Sequence, residues 1–137
     1  MKDHAALLIR DSNNKFIFVR RSKNKKTLPN IWAFPSGTKE LGETIYETAV
    51  REAYEELDIN IKAEQILTTK ELPELGSKLH FIICTIISGN PVIKDHNEIE
   101  EIEWLTFSEF FNKYDDTKIG HGLIFLRQNP QIWKEFS

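Results

Sequence analysis

Residues 81–87, Phe-Ile-Ile-Cys-Thr-Ile-Ile, form the longest apolar run in the sequence. The run is far short of the roughly 20 residues that a membrane-spanning helix needs. Its length and β-branched content instead fit a strand buried on both faces, which a fold can supply only by layering other elements over both sides of a sheet. A chain of 137 residues, 40% of them hydrophobic, is one domain's worth and can bury such a core without disulfides or a structural metal. The single cysteine, Cys84, lies inside the run. No bridge can form within the chain, and a buried thiol in a reducing compartment is expected. The N-terminus meets Asp3 and His4 at once and reaches Arg10 after only five apolar residues. That is no signal-peptide h-region, so a cytoplasmic location is expected. With 18 Lys and Arg against 21 Asp and Glu, the formal charge is −3. A mildly acidic domain argues against a stable nucleic-acid partner.

Periodicity sets the remaining elements. Residues 4–10 and 15–21 read as two strands of a hairpin around the turn 11–14. Pro35 and Gly37 enforce a loop after Ile-Trp-Ala-Phe. Thr44 and Glu47 make a capping box, so a helix should begin near Thr44, with Ile45, Tyr46, Ala49, Val50, Ala53 and Leu57 along one stripe. Strands are expected over 59–70, 79–88 and 102–106, the second fully buried, followed by short helices near 108–112 and 119–133. Strands interleaved with one strong central helix and C-terminal helices indicate an α/β layered domain.

Charge falls in blocks. Lys15, Arg20, Arg21, Lys23, Lys25 and Lys26 form a basic stretch, residues 39–58 are strongly acidic, and Glu98, Glu100, Glu101 and Glu103 precede Trp104. Each block alone reads as a solvated face; brought together, they would suit a divalent cation and a polyanion. Spacing favours the second reading for the helix. Glu52, Glu55 and Glu56 fall at about −20°, −80° and +20° from Ile45, within one sector that borders the apolar stripe. Like charges at such spacing repel, and a Mg²⁺ ion, which takes one or two protein carboxylates and shares phosphate oxygens, would offset the repulsion. Arg51 can orient a glutamate through a bidentate pair.

These residues carry a resemblance. Gly37-Thr-Lys-Glu-Leu-Gly-Glu43, seven further residues, then Arg51-Glu52-Ala53-Tyr54-Glu55-Glu56-Leu57-Asp58-Ile59 is similar to the Nudix box, G-x5-E-x7-R-E-U-x-E-E-x-G-U. Six charged or glycine positions match at the right spacing, a coincidence on the order of one in a hundred thousand at average residue usage. The likeness extends through Trp32-Ala-Phe-Pro35 and Glu98-x-x-Glu101-x-x-Trp104 to about residue 110. It departs at Asp58, which replaces the glycine after the helix, at Ala53, a small residue in the aliphatic position, and at Ser36, where many members have glycine.

The resemblance implies an α/β/α sandwich around a mixed, curved sheet and a hydrolase that cleaves the pyrophosphate linkage of a nucleoside diphosphate joined to another moiety, on the pattern of MutT. It implies Mg²⁺, with Mn²⁺ as a substitute, held by Glu52, Glu55, Glu56, Glu98 and the backbone carbonyl of Ser36. Glu101 competes with Glu98, and the general base is Glu52 or a glutamate of the later acidic loop. Arg21 is implied to hold a substrate phosphate, with Arg20 on the opposite face of its strand. Glu43 would brace Arg51, and Glu40 would cap or solvate its loop. Lys23, Lys25 and Lys26 read as a solvated loop, with a positive field over a polyphosphate as the alternative. Trp32, Phe34 and Trp104 read as packing aromatics. His121, between Gly120 and Gly122, is placed to line a substrate pocket where some members carry a base-reading asparagine. Alternative substrates are a dinucleoside polyphosphate or a nucleotide sugar. A non-catalytic nucleotide sensor is a further reading, and so is an isoprenoid diphosphate isomerase, which would need Cys84 to be reactive. Either a monomer or a homodimer is expected.

Overall fold

The computed structural model describes residues 1–136. Seven strands and three α-helices follow in the order β1 (Lys2–Arg10), β2 (Phe16–Arg21), β3 (Trp32–Ala33), β4 (Ser36–Thr38), α1 (Ile45–Leu57), β5 (Asn60–Leu72), β6 (Ser77–Ser88), β7 (Ile99–Leu105), α2 (Phe107–Lys113) and α3 (His121–Gln128). They form one mixed sheet covered on both faces, the expected α/β/α arrangement. No described helix is long and apolar enough to cross a membrane.

The expected hairpin is real only at its tip. β1 and β2 pair through Arg10 and Phe16 and then diverge. β1 runs parallel to β6 from Lys2 to Arg10, while β2 runs antiparallel to β7. The gap is spanned by the segment around Pro35, whose two short strands pair apart: β3 with β2, and β4 with β1. The sheet is therefore splayed, and the splay opens a cleft between its halves.

Two cores flank it. On one face Ala5, Leu7, Ile9, Ile82 and Cys84 pack under Ala49, Ala53 and Leu57 of α1. On the other, Leu8, Phe16, Phe18, Phe34 and Phe81 pack against Phe107, Phe110, Leu123 and Leu126 of α2 and α3. Because both faces are covered, Ala5 to Ile9 of β1 are all buried. Burial in β6 is limited to Phe81–Cys84, shorter than the 79–88 expected, and Ile87 is 70% exposed at the strand's end.

The helix follows its sequence signals closely. Thr44 accepts from the Glu47 amide and Glu47 accepts from the Thr44 amide, closing the capping box. Ala53 is fully buried and lets α1 approach the sheet. Tyr46 and Val50, expected on the buried stripe, are exposed because they overhang the sheet edge beside Ile61 and Ala63 of β5. Asp58 ends the helix at φ 56°, a left-handed conformation that Asp tolerates better than most residues. The last helix is shorter than the expected 119–133. It stops at Asn129-Pro130, where proline cannot continue it, and gives way to 3₁₀ turns.

Candidate active site

The cleft is floored by the helix face that carries the glutamates. Arg51 organises it. Its Nε and Nη2 donate to the two oxygens of Glu43 at 2.7 and 3.0 Å, and its Nη1 donates to Glu52 Oε1 at 2.7 Å and to Glu55 Oε2 at 3.3 Å. Nη2 also donates to the carbonyl of Thr38, tying the helix to β4. Glu43 is held further by the Thr48 hydroxyl and the Glu40 amide. This dense set of donors keeps the Glu43 carboxyl down at about 2, chiefly through Arg51. Glu43 thus braces Arg51, while Glu40 sits 3.6 Å from it at the cleft rim.

Glu52 and Glu56 lie deeper. Burial raises both carboxyl pKa values, that of Glu52 against the pull of Arg51 and that of Glu56 with the added repulsion of Glu52. Glu56 is half-buried as a residue, but its Oε2 is shut off from solvent and has no hydrogen-bond partner. An unpartnered buried carboxylate oxygen costs on the order of 1–3 kcal/mol unless a cation or donor meets it. Gly37 presses on the same place from above: a Cβ there would lie 2.0 Å from Glu52 Cδ. Any larger residue at this position of β4 would have to push the Glu52 carboxyl aside.

Glu98 reaches the cleft from the loop before β7 and accepts from Lys25 Nζ at 2.5 Å. Glu101 points away, bound with Glu100 to Arg20 on the other face of β2. Glu52, Glu56, Glu98 and Ser36 line one polar chamber of about 600 Å³. Glu55, about half exposed, stands at its edge, where a smaller recess joins it to Glu52, Glu56 and Glu98. Among the described residues no three such side chains close a metal cage, because Arg51 holds Glu52 and Glu55 while Lys25 holds Glu98. The donors still suit a hard divalent ion, since the unpartnered Glu56 oxygen shares its chamber with the carboxylates of Glu52 and Glu98 and Mg²⁺ needs only one or two protein carboxylates.

A second chamber of about 320 Å³ adjoins the first and is mostly apolar, with Ile31, Phe34, Leu79 and Phe81 among its walls. His121 opens α3 at its rim between Gly120 and Gly122. The sequence residues thus divide: carboxylates line the polar chamber, His121 the apolar one. Arg21 stands at their junction, its guanidinium held by the Thr27 hydroxyl and the carbonyls of Thr27 and Leu28. His4 lines both chambers and bonds Thr38, a position that sequence reasoning passed over. The alternation of β1 could have shown it, because His4 and Ala6 share the face that turns to the cleft. Trp32 and Phe34 are core residues. Cys84 is fully buried and its thiol is pushed up to about 12 by burial, which removes the chemistry that an isomerase reading requires.

Fold and site together define a splayed α/β/α domain with an arginine-braced acidic helix along an open cleft. The sequence model described as NUDIX domain matches residues 2–126, and the chain belongs to that family. Nudix hydrolase 5 of Arabidopsis thaliana is 26% identical over 123 residues, which cover 87% of this chain and 41% of that protein. Nucleoside diphosphate-linked moiety X motif 6 of Xenopus laevis is 31% identical over 104 residues, covering 72% of this chain and 47% of that protein. The chain spans less than half the length of these curated relatives. The solved structure of a MutT protein from Methanosarcina mazei Go1 shares the fold, with a TM-score of 0.71 at 22% identity over 98% of this chain and 91% of that one.

Proposed function

We propose that the chain hydrolyses the pyrophosphate linkage of a nucleoside diphosphate joined to another moiety, with a nucleoside triphosphate or modified nucleotide as the substrate that suits the site best. The unpartnered, buried Oε2 of Glu56, next to Glu52 in the polar chamber, is the observation that carries this reading. Glu52, Glu55, Glu56, Glu98 and the carbonyl of Ser36 would hold Mg²⁺, or Mn²⁺ in its place. Bound there, the ion would offset phosphate charge and make a water more acidic. Arg21, at the junction of the chambers, holds a phosphate of the substrate, and the apolar chamber takes the attached moiety against His121. Arg51 fixes Glu52, while Glu56 keeps its Oε2 without a partner. Two carboxylates are placed to accept a proton from the attacking water, Glu52 and Glu98, and comparison of the pH profiles of Glu52→Gln and Glu98→Gln separates them.

Phosphate release with Mg²⁺ and added pyrophosphatase tests the proposal across canonical and oxidised nucleoside triphosphates, nucleotide sugars, ADP-ribose and dinucleoside polyphosphates. A strong response to one class supports it and assigns the substrate. Silence across the panel with nucleotide binding retained would replace it with the sensor reading.

A further inference from the structure

The turn after β2 is built to hold one cation in the cleft. Ser22 is fully buried; its amide donates to the Glu98 carbonyl at 3.0 Å, and its own carbonyl accepts from the Lys25 amide at 3.1 Å. The Asn24 amide donates to Ser22 Oγ at 3.0 Å, and the Lys23 amide to Glu100 Oε1 at 2.8 Å. Residues 22–25 are thus stapled to Glu98, just before β7, and to Glu100 on it. Three of the cations around this turn differ in commitment. Arg20 is tied to Glu100, Glu101 and Asn30, and Arg21 to Thr27 and Leu28. Lys25 contacts a single carboxylate, Glu98, with its side chain 24% exposed and lining the polar chamber.

That contact competes with both ligands of the proposed reaction. A divalent ion that takes Glu98 competes with Lys25 for it, because two cations on one carboxylate repel at close range. A polyphosphate entering the same chamber attracts an ammonium, and lysine, a point charge on a flexible stem with three donors, can turn from one oxygen to another without moving its backbone.

We propose that Lys25 is an exchange residue of this cleft: it holds Glu98 while the chamber is empty of phosphate and passes to the polyphosphate when substrate enters, freeing Glu98 for the metal. This rests on the hydrolase reading above and makes metal and substrate binding interdependent through one side chain. Metal binding in the absence of phosphate is weakened, and phosphate binding strengthens it.

The test uses the metal-free protein, titrated with Mn²⁺ alone by electron paramagnetic resonance and with inorganic pyrophosphate alone by calorimetry. Lys25→Ala should tighten Mn²⁺ binding roughly three- to tenfold and weaken pyrophosphate binding by a similar factor, opposite signs that a merely structural lysine would not produce. Lys25→Arg should restore wild-type behaviour in both titrations. Lys23→Ala, which removes a charge from the same turn but outside the chamber lining, should change each by less than about twofold. In a Glu98→Gln background the effect of Lys25→Ala on Mn²⁺ should shrink to the weaker charge effect that Lys25 exerts through Glu56 in the same chamber. Unchanged or weaker Mn²⁺ binding in Lys25→Ala overturns the proposal, as does tightening that is undiminished without Glu98. Wild-type protein that binds no Mn²⁺ at all would overturn the metal reading itself, a distinct result.

Discussion

Gly37→Ala should disable the site through one methyl group while leaving the fold in place. The added Cβ would lie 2.0 Å from Glu52 Cδ and 2.3 Å from both Cγ and Oε1. Reaching ordinary contact near 3.4 Å requires the carboxyl carbon to retreat by roughly 1.4 Å. The flexible side chain can do so, but only by giving up its 2.7 Å bond from Arg51 Nη1. Arg51 keeps Glu43, and Glu52 moves toward water, so the net stability change should stay within about 1 kcal/mol. Displacement of a catalytic carboxylate by about 1 Å costs on the order of 100-fold in rate. The assay pairs thermal melting with kcat/KM on whichever substrate the screen identifies and with Mn²⁺ affinity. Gly42→Ala is the contrast: no atom lies within 4 Å of its Cβ position, but φ is +87°. It should lose about 1 kcal/mol of stability and keep its activity. A Gly37→Ala protein with activity within twofold of wild type would refute the steric reasoning.

Asp58→Gly should raise stability by about 0.5–1 kcal/mol, since it relieves left-handed strain and removes a negative charge from the helix C-terminus, with hydrolysis unchanged. A fall in melting temperature would show instead that the 3.9 Å contact with Lys94 outweighs both effects. The depressed Glu43 carboxyl contributes stability that is present above its unfolded pKa near 4.5 and is lost as pH falls toward about 2. Glu43→Gln should flatten that acid limb in melting curves recorded from pH 6 downward, and an unchanged limb would sink the idea. Arg21→Ala should raise KM more than it lowers kcat, by about tenfold for a lost charged phosphate contact. A change in kcat alone would place Arg21 in transition-state stabilisation.

The helix and its carboxylate face were legible because their information is local. The capping box and the carboxylate sector depend on spacing within 15 residues, and the structure reproduces both, together with the Arg51–Glu43 brace that the Nudix resemblance implied. The splay of β1 from β2 was not legible, because strand pairing with β6 and β7 is decided by segments about 75 to 90 residues away. Tyr46 and Val50 follow the helical period but not the width of the sheet beneath them. Glu98 and Glu101 sit three residues apart in one acidic block, and only the register of β7 against β2 sends Glu101 to Arg20 and leaves Glu98 to Lys25. Lys25 itself read as one solvated cation among three. Its burial depends on Ser22, whose polar side chain gave no sign of being fully enclosed.

The central claim is that the Glu56 oxygen awaits a cation and that hydrolysis depends on it. Glu56→Gln, assayed at saturating Mg²⁺ together with Mn²⁺ binding and melting temperature, tests it most directly. Loss of a metal-holding carboxylate should lower kcat/KM by at least about 1,000-fold and weaken Mn²⁺ binding. The melting temperature should hold or rise, because a neutral amide is less costly at a buried site than a charge. Wild-type hydrolysis and Mn²⁺ binding in the folded variant would contradict the account.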